Sequence, residues 1–311
     1  MRGAILGDII GSPYEFDMGG KTKIFPLFIE ESKFTDDTVM TIAVADALLL
    51  AQEYGFDDDE EKTKAMLAKS MRKWGRMFPY KGYGSRFNHW LNDPSAGPYG
   101  SFGNGSAMRV SSAGWLYDSL EETRKHAKWT AEVTHNHPDG IKGAVAAASA
   151  IFLARSGVAQ EGIREYIEKA IKYDLSYTLD EIRPSYRHFE SCEYTVPEAV
   201  TAFLEGRDFE DVIRNAVSLG GDCDTLTCIA GSIGEAYFDV PEDLKQECRN
   251  RIPADMNAVL DRFDKARLPR IDCHDRSLSD FWKPAGNMPE AQDAPQKAGF
   301  LDTVIKFFTK K

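Results

Sequence analysis

Apolar residues recur along most of this chain at helical spacing, and no stretch alternates with the period of two that a half-buried strand needs, so the pattern predicts an all-α fold. The first run, over 1–12, carries Gly3, Gly7 and Gly11 at intervals of four. That spacing sets them on one helical face and lets a neighbouring helix approach closely. Pro13 is expected to end the helix, which leaves Glu15 in a loop. The segment 17–33, broken by Gly19, Gly20 and Pro26, reads as irregular and able to serve as a flap. An amphipathic helix is predicted over 39–53. Another begins in the acidic run Asp57–Glu61 and continues through Met66, Leu67, Met71 and Trp74. Acidic residues suit the positive end of a helix, so this run reads as a solvated helix entrance.

Between 79 and 105 glycines and aromatics dominate, the composition of a long functional loop. Further helices are predicted at 121–134, 138–155, 160–173, 196–205, 208–218, 225–238, 241–250 and 253–266. The second of these is rich in small residues from Gly140 to Ala154, as a central packed helix should be. After about residue 268 the character changes: Lys283 to Gly299 reads as a linker, and Phe300–Phe308 as a short amphipathic helix before Lys310 and Lys311. The expected organisation is a folded unit over 1–268 and an extension over 269–311. The terminal helix is expected to dock on its own core or to meet a partner or membrane surface.

The balance of 28% charged and 42% hydrophobic residues in a chain of 311 fits a soluble globular protein of one large or two ordinary domains. A formal net charge of −11 and the lack of a basic run argue against a nucleic-acid surface. An anionic ligand would have to be held locally, by backbone amides or a metal. The five cysteines are scattered and form no Cys-x-x-Cys pair, which points to reduced thiols in a cytoplasm. No signal peptide is evident, and no uncharged apolar run reaches membrane-spanning length.

Two short stretches carry the candidate chemistry: Phe34-Thr35-Asp36-Asp37-Thr38 and Gly220-Gly221-Asp222-Cys223-Asp224-Thr225. Each is an acidic, hydroxyl-bearing turn followed at once by an apolar helical run. Either alone is explained by helix capping, because Asp and Thr are favoured N-caps. Capping uses one acceptor, however, and leaves the paired carboxylates of Asp36 and Asp37, and of Asp222 and Asp224, without a reason. Brought together without a cation, each close pair would repel by about 4 kcal/mol at an effective dielectric near 20. Oxygen ligands of this kind suit one or two hard divalent cations such as magnesium, manganese or calcium. A third stretch, Gly100-Ser101-Phe102-Gly103-Asn104-Gly105 up to Met108, would let backbone amides approach a diphosphate, with Phe102 stacking on a base. His135 and His137 are two apart, but no third zinc ligand is nearby, so His135 reads as a polar pocket contact.

Taken together and in this order, Gly7–Phe16, Thr35–Thr38, Gly103–Gly105 with Met108 and Arg109, Thr134–His135, and Gly220–Thr225 with Ile229–Gly231 resemble the ADP-ribosylglycohydrolase family. The resemblance covers residues 1 to about 268 and leaves 269–311 without a counterpart. It implies an orthogonal multi-helix bundle with a binuclear magnesium or manganese centre. Thr35, Asp36 and Asp37 would hold one ion, Asp222 and Thr225 the other, and Asp224 would bridge. Glu15 matches a flap glutamate that reaches the metals, and Glu15 or Asp222 would serve as acid or base. Gly100, Ser101, Phe102, Gly103, Asn104, Gly105, Met108 and His135 would bind substrate. The implied activity is cleavage of ADP-ribose from a modified acceptor, a protein side chain or a small substrate, with arginine linkage first. The alternative is a metal-dependent ADP-ribose-binding module without turnover.

Overall fold

The computed structural model describes residues 1–18 and 20–283. Helices run in the order α1 Arg2–Gly11, α2 Asp36–Glu53, α3 Glu60–Met77, α4 Ser85–Asn92, α5 Gly105–Met108, α6 Ala113–Leu116 and α7 Leu120–Glu132. They continue as α8 Pro138–Arg155, α9 Gln160–Tyr166, α10 Leu179–Ile182, α11 Cys192–Leu204, α12 Phe209–Val217, α13 Cys223–Tyr237, α14 Glu242–Asn250 and α15 Ala254–Ala266. Among the described residues there is no strand, only isolated bridges such as Gly103 with Ser191. The predicted all-α class holds.

The centre is α13, against which α1, α8, α11 and α12 lie. The glycine stripe of α1 explains how closely two of these come. A β-carbon on Gly7 would sit 2.2 Å from the Thr227 carbonyl oxygen, and one on Gly11 would sit 2.7 Å from the Asp224 α-carbon. The helices therefore meet backbone to backbone, and any side chain larger than hydrogen at these positions would separate them.

Several elements depart from the periodicity reading. Helix α2 is not amphipathic: nearly every side chain from Asp37 to Leu49 is buried, because α3, α15 and α1 cover it from different sides. It also starts three residues earlier than predicted, where the Thr35 hydroxyl accepts from the Asp37 amide at 3.3 Å. The Gly-rich stretch contains an unpredicted helix, α4, which buries Phe87, Trp90 and Leu91 despite its glycine neighbours. Helix α11 begins at Cys192, so Pro197 lies inside it. Hydroxyls from outside support its opening turn: Tyr186 donates to the Tyr194 carbonyl at 2.9 Å and Tyr173 to the Cys192 carbonyl at 3.4 Å. The acidic run at 57–61 is a helix entrance as predicted, since the Asp59 side chain accepts from the Lys62 amide at 3.1 Å.

Beyond Gly11 the chain tightens into 3-10 turns over Ser12–Asp17 that break at Glu15 and Phe16, where the backbone is not helical, so Glu15 stands at a kink between two tight turns. The Phe16 amide donates to the Gly221 carbonyl at 2.9 Å, which fixes this turn beside the second acidic stretch. The segment expected as a flap is irregular, yet it is tied down at several points. Lys21 Nζ donates to the Tyr186 and Leu219 carbonyls at 2.8 and 2.7 Å, and Arg214 Nη1 donates to the Phe25 carbonyl at 2.8 Å.

After α15 the chain turns back over α8 and α9. The Ile271 amide donates to the Arg155 carbonyl at 2.8 Å, and the rings of Phe281 and Trp282 meet Phe152 and Tyr166 edge-on at 5.6 and 5.7 Å. The predicted helix over 300–308, and all of the linker after Lys283, lie outside the described residues. The five cysteines are free thiols. Among the described residues no helix is long and apolar enough to cross a membrane.

Candidate metal centre

A cleft of about 470 Å³ opens where α2 and α13 begin. Its floor holds the carboxylates of both acidic turns. Thr225 on α13 donates its hydroxyl to Asp37 Oδ2 on α2 at 3.1 Å, so the two turns are in direct contact. Two triads of carboxylates result, Asp8 with Asp37 and Asp224, and Glu15 with Asp222 and Asp224; within each triad the oxygens lie within 4.8 Å of one another. Asp224 belongs to both. Asp36 belongs to neither: its amide donates to the Lys81 carbonyl at 2.9 Å, and its carboxylate lies by Gly82.

Capping accounts for part of this arrangement. Thr35 caps α2. Asp222 occupies the cap position of α13 but forms no side-chain cap there, and its Oδ2 instead accepts from Asn104 Nδ2 at 2.6 Å. Asp224 accepts from the Thr225 amide at 2.8 Å. Asp37 Oδ1 is buried and has no hydrogen-bond partner among the described residues.

The electrostatics follow from burial and from carboxylates crowded against one another. Burial, followed by the charges of Asp37 and Asp222, pushes the Asp224 carboxyl well above the carboxylate range. Burial and then Asp8 and Asp36 do the same to Asp37. Asp36 is pushed up to about 8 by burial and the Asp8 charge, and Glu15 up to about 7 by burial and the Asp222 charge. Such a cluster must take up protons or hold cations. A set of carboxylate and hydroxyl oxygens, with one carboxylate oxygen unpartnered, fits a hard divalent cation.

Asp8 is the residue that periodicity missed. It is fully buried in α1, and its oxygens accept from the Thr35 amide at 2.9 Å, the Thr35 hydroxyl at 2.7 Å, the Thr38 amide at 3.0 Å and the Thr38 hydroxyl. Its signal was present, a carboxylate inside an otherwise apolar run between two packing glycines. His188 and Glu190 also line the cleft. They come from a loop between α10 and α11 with no pattern to mark it.

The Gly-rich stretch forms the opposite wall. Ser101, Gly103, Asn104, Gly105 and Met108 line the cleft; Gly100 and Phe102 do not. The Gly100 amide is already committed to Asn136 Oδ1 at 2.7 Å, and Phe102 is 54% exposed, edge-on to His137 at 5.6 Å. A β-carbon on Gly105 would lie 3.2 Å from His135 Nε2, so the missing side chain makes room beside the imidazole. His135 is buried, and its Nδ1 lies 2.7 Å from the Thr134 hydroxyl, which accepts from Arg109 Nη2 at 2.7 Å. Burial, and then the Arg109 charge, hold its pKa well below the usual range, so the ring is neutral.

This architecture defines a known class of all-helical protein. A solved structure, an ADP-ribosylglycohydrolase-related protein complex, shares the fold with a TM-score of 0.60 at 21% identity, covering 85% of this chain and 95% of that one. Mouse ADP-ribosylhydrolase ARH3 is 27% identical over 332 residues, spanning 80% of this chain and 86% of its own length. The human protein of the same name is 26% identical over 335 residues, spanning 83% and 90%. Residues 1–271 match the sequence model of the ADP-ribosylglycohydrolase family, and the chain belongs to that family of glycosyl hydrolases.

Proposed function

We propose that the protein removes ADP-ribose from a modified acceptor by metal-dependent hydrolysis, with two magnesium or manganese ions held between the acidic turns. The observation that carries this reading is Asp37 Oδ1, a buried carboxylate oxygen without a partner at the junction of the two turns. Thr35, Asp36 and Asp37 would hold one ion and Asp222 and Thr225 the other, with Asp224, common to both carboxylate triads, available to both; Asp36 would contribute from the cleft lining, outside the triads. Both Asp8 oxygens are taken by Thr35 and Thr38, so Asp8 positions the first turn instead of ligating.

Held there, the cations would supply the Lewis acidity that lowers the pKa of water toward neutrality. The protein's own groups do the rest. Glu15, beside Asp222 in the second carboxylate triad, is placed to give or take a proton at the anomeric centre and its leaving group. Asp222 is the second candidate for that proton, oriented by Asn104. Ser101, Gly103, Asn104 and Gly105 form the wall that would face the diphosphate, beside the neutral His135; the Gly103 and Asn104 amides are held by Ser101 Oγ and the Glu190 carbonyl, which leaves the Ser101 and Gly105 backbone as the candidates to meet it. Met108 closes the floor beneath the Thr225 hydroxyl at 3.9 Å. Glu15 and Glu190 both line the cleft, where a pair of carboxylates can meet a guanidinium, so arginine linkage is the first acceptor to test. The free thiols fit a cytoplasmic setting.

The test is release of ADP-ribose from arginine-, serine- and nucleic-acid-linked substrates with magnesium, manganese or calcium. Release that needs added metal supports the proposal. Metal-dependent binding of ADP-ribose with no release from any linkage would make the protein a binding module.

A further inference from the structure

A second cavity of about 310 Å³ lies behind the cleft, between α10, α11, the start of α8 and the loop after α9. Tyr173, Tyr177, Tyr186 and Phe189 supply aromatic walls, and Glu198 of α11 projects into it. Glu198 Oε2 is buried and has no hydrogen-bond partner among the described residues. Four of the neighbouring donors are committed elsewhere. The Tyr186 and Tyr173 hydroxyls donate to the Tyr194 and Cys192 carbonyls at 2.9 and 3.4 Å. The Thr201 hydroxyl donates to the Pro197 carbonyl at 2.9 Å. Lys142 Nζ donates to the Lys172 carbonyl at 2.9 Å and lies 4.0 Å from the centre of the Tyr173 ring.

A buried carboxyl oxygen without a donor is costly, and the cost is met when a ligand brings the donor. Around the same cavity carboxylates outnumber lysines, with Asp139, Glu181 and Glu193 adding to Glu198 against Lys142 and Lys172. Aromatic faces attract cations and are indifferent or unfavourable to anions. We propose that this cavity is a binding site for a small organic cation, an amidinium, guanidinium or ammonium on a flat or aliphatic body, with Glu198 as its counter-ion. Burial pushes the Glu198 carboxyl up to about 8 in the empty cavity, and a bound cation displaces that proton where a neutral amide cannot.

The site is placed to be felt in the cleft. Tyr186 and Phe189 face the second cavity, while His188 and Glu190 of the same short loop line the cleft. Tyr186 also abuts the second acidic turn: a β-carbon on Gly221 would lie 2.9 Å from its Cε1. A cation seated between these rings fixes the loop that carries His188 and Glu190.

Benzamidine and its neutral isostere benzamide are the probes, titrated by calorimetry into the full chain with magnesium and saturating ADP-ribose, which blocks the cleft. Benzamidine is expected to bind saturably, with benzamide weaker by about tenfold or more. Glu198→Gln is expected to weaken benzamidine by a similar factor and to leave ADP-ribose affinity unchanged. Equal affinity for the two probes on the native protein overturns the proposal without any variant. So does no saturable binding of benzamidine, or binding that survives Glu198→Gln and is lost in Asp224→Asn.

Discussion

Thr225 Oγ1 donates to Asp37 Oδ2 at 3.1 Å across 188 positions of sequence. That bond joins the first turns of two deeply buried helices, so one site is assembled from both ends of the fold. Helix α1 makes the junction possible. Its glycines let it lie directly on α13, and the residue after Gly7 is Asp8, which reaches across to hold Thr35 and Thr38 at the start of α2.

Asp36→Asn or Asp222→Asn is expected to lower turnover by more than about a hundredfold, because losing a charged ligand exceeds the loss from an outer-sphere change. Metal affinity should fall with it. Steady-state rates at saturating magnesium check this, and native rates in both variants would remove those residues from the centre.

Glu15→Gln should slow turnover while ADP-ribose affinity stays within about threefold of native, since its role is to move a proton and not to hold the ligand. Calorimetry with ADP-ribose separates the cases. If binding disappears together with activity, Glu15 positions the substrate instead.

The acidic turns were legible because each broke the composition of the helix it opened: Asp36-Asp37 and Asp222-x-Asp224 stand against uncharged, largely apolar runs. Glu15 was legible only through the resemblance. In isolation a carboxylate after Pro13 reads as a solvated charge, and it is a contact with the Gly221 carbonyl, 205 positions on (221 − 16), that brings its turn to the site. Asp8 carries four hydrogen bonds that periodicity cannot foresee. Helix α4 was hidden by the flanking glycines Gly82 and Gly84, although Phe87, Trp90 and Leu91 have helical spacing. His188 and Glu190 sit in a loop whose conformation is set by tertiary contacts alone.

Gly7→Ala tests the close approach of α1 and α13. Backbone atoms of Thr227 surround the new methyl, so neither side can yield by turning a rotamer. Such overpacking costs about 1–3 kcal/mol. Denaturant midpoints should fall accordingly, and activity should fall more than stability does, because any separation of the helices carries Asp8 away from Thr35. An unchanged midpoint would show that the interface relaxes freely.

In the metal-free protein, stability should fall as pH rises. An unfolded aspartate titrates at about 3.9, while in the folded chain Asp36 and Glu15 titrate at about 8 and about 7. Between these values the folded state binds more protons than the unfolded one, so the free energy of unfolding decreases with pH. Chelator-treated protein is therefore expected to melt lower at pH 8 than at pH 5, and saturating magnesium should remove or reverse that trend. Melting curves at the two pH values decide it, and a chelated protein more stable at pH 8 would contradict the uncompensated cluster.

Asp224→Asn gives a reversal of sign. Asp224 belongs to both carboxylate triads and is pushed well above its usual range by burial and by Asp37 and Asp222. Without metal the substitution removes one of several repelling groups, so the chelated variant should melt higher than chelated native protein. With excess magnesium it should melt lower. A metal bound only to the folded state stabilises by about 2.7 kcal/mol at a hundredfold excess over Kd, and the variant loses much of that. A helix cap behaves otherwise, since Asn caps about as well as Asp and neither depends on metal. The geometry already separates these cases in part, because Asp222 and not Asp224 holds the cap position of α13, and Asp224 accepts from the amide of the next residue inside that helix. Four melting curves decide the point, native and variant, each with chelator and with magnesium. A shift of the same sign and size in both conditions would return the second acidic turn to a capping role and remove the basis for a metal centre in this cleft.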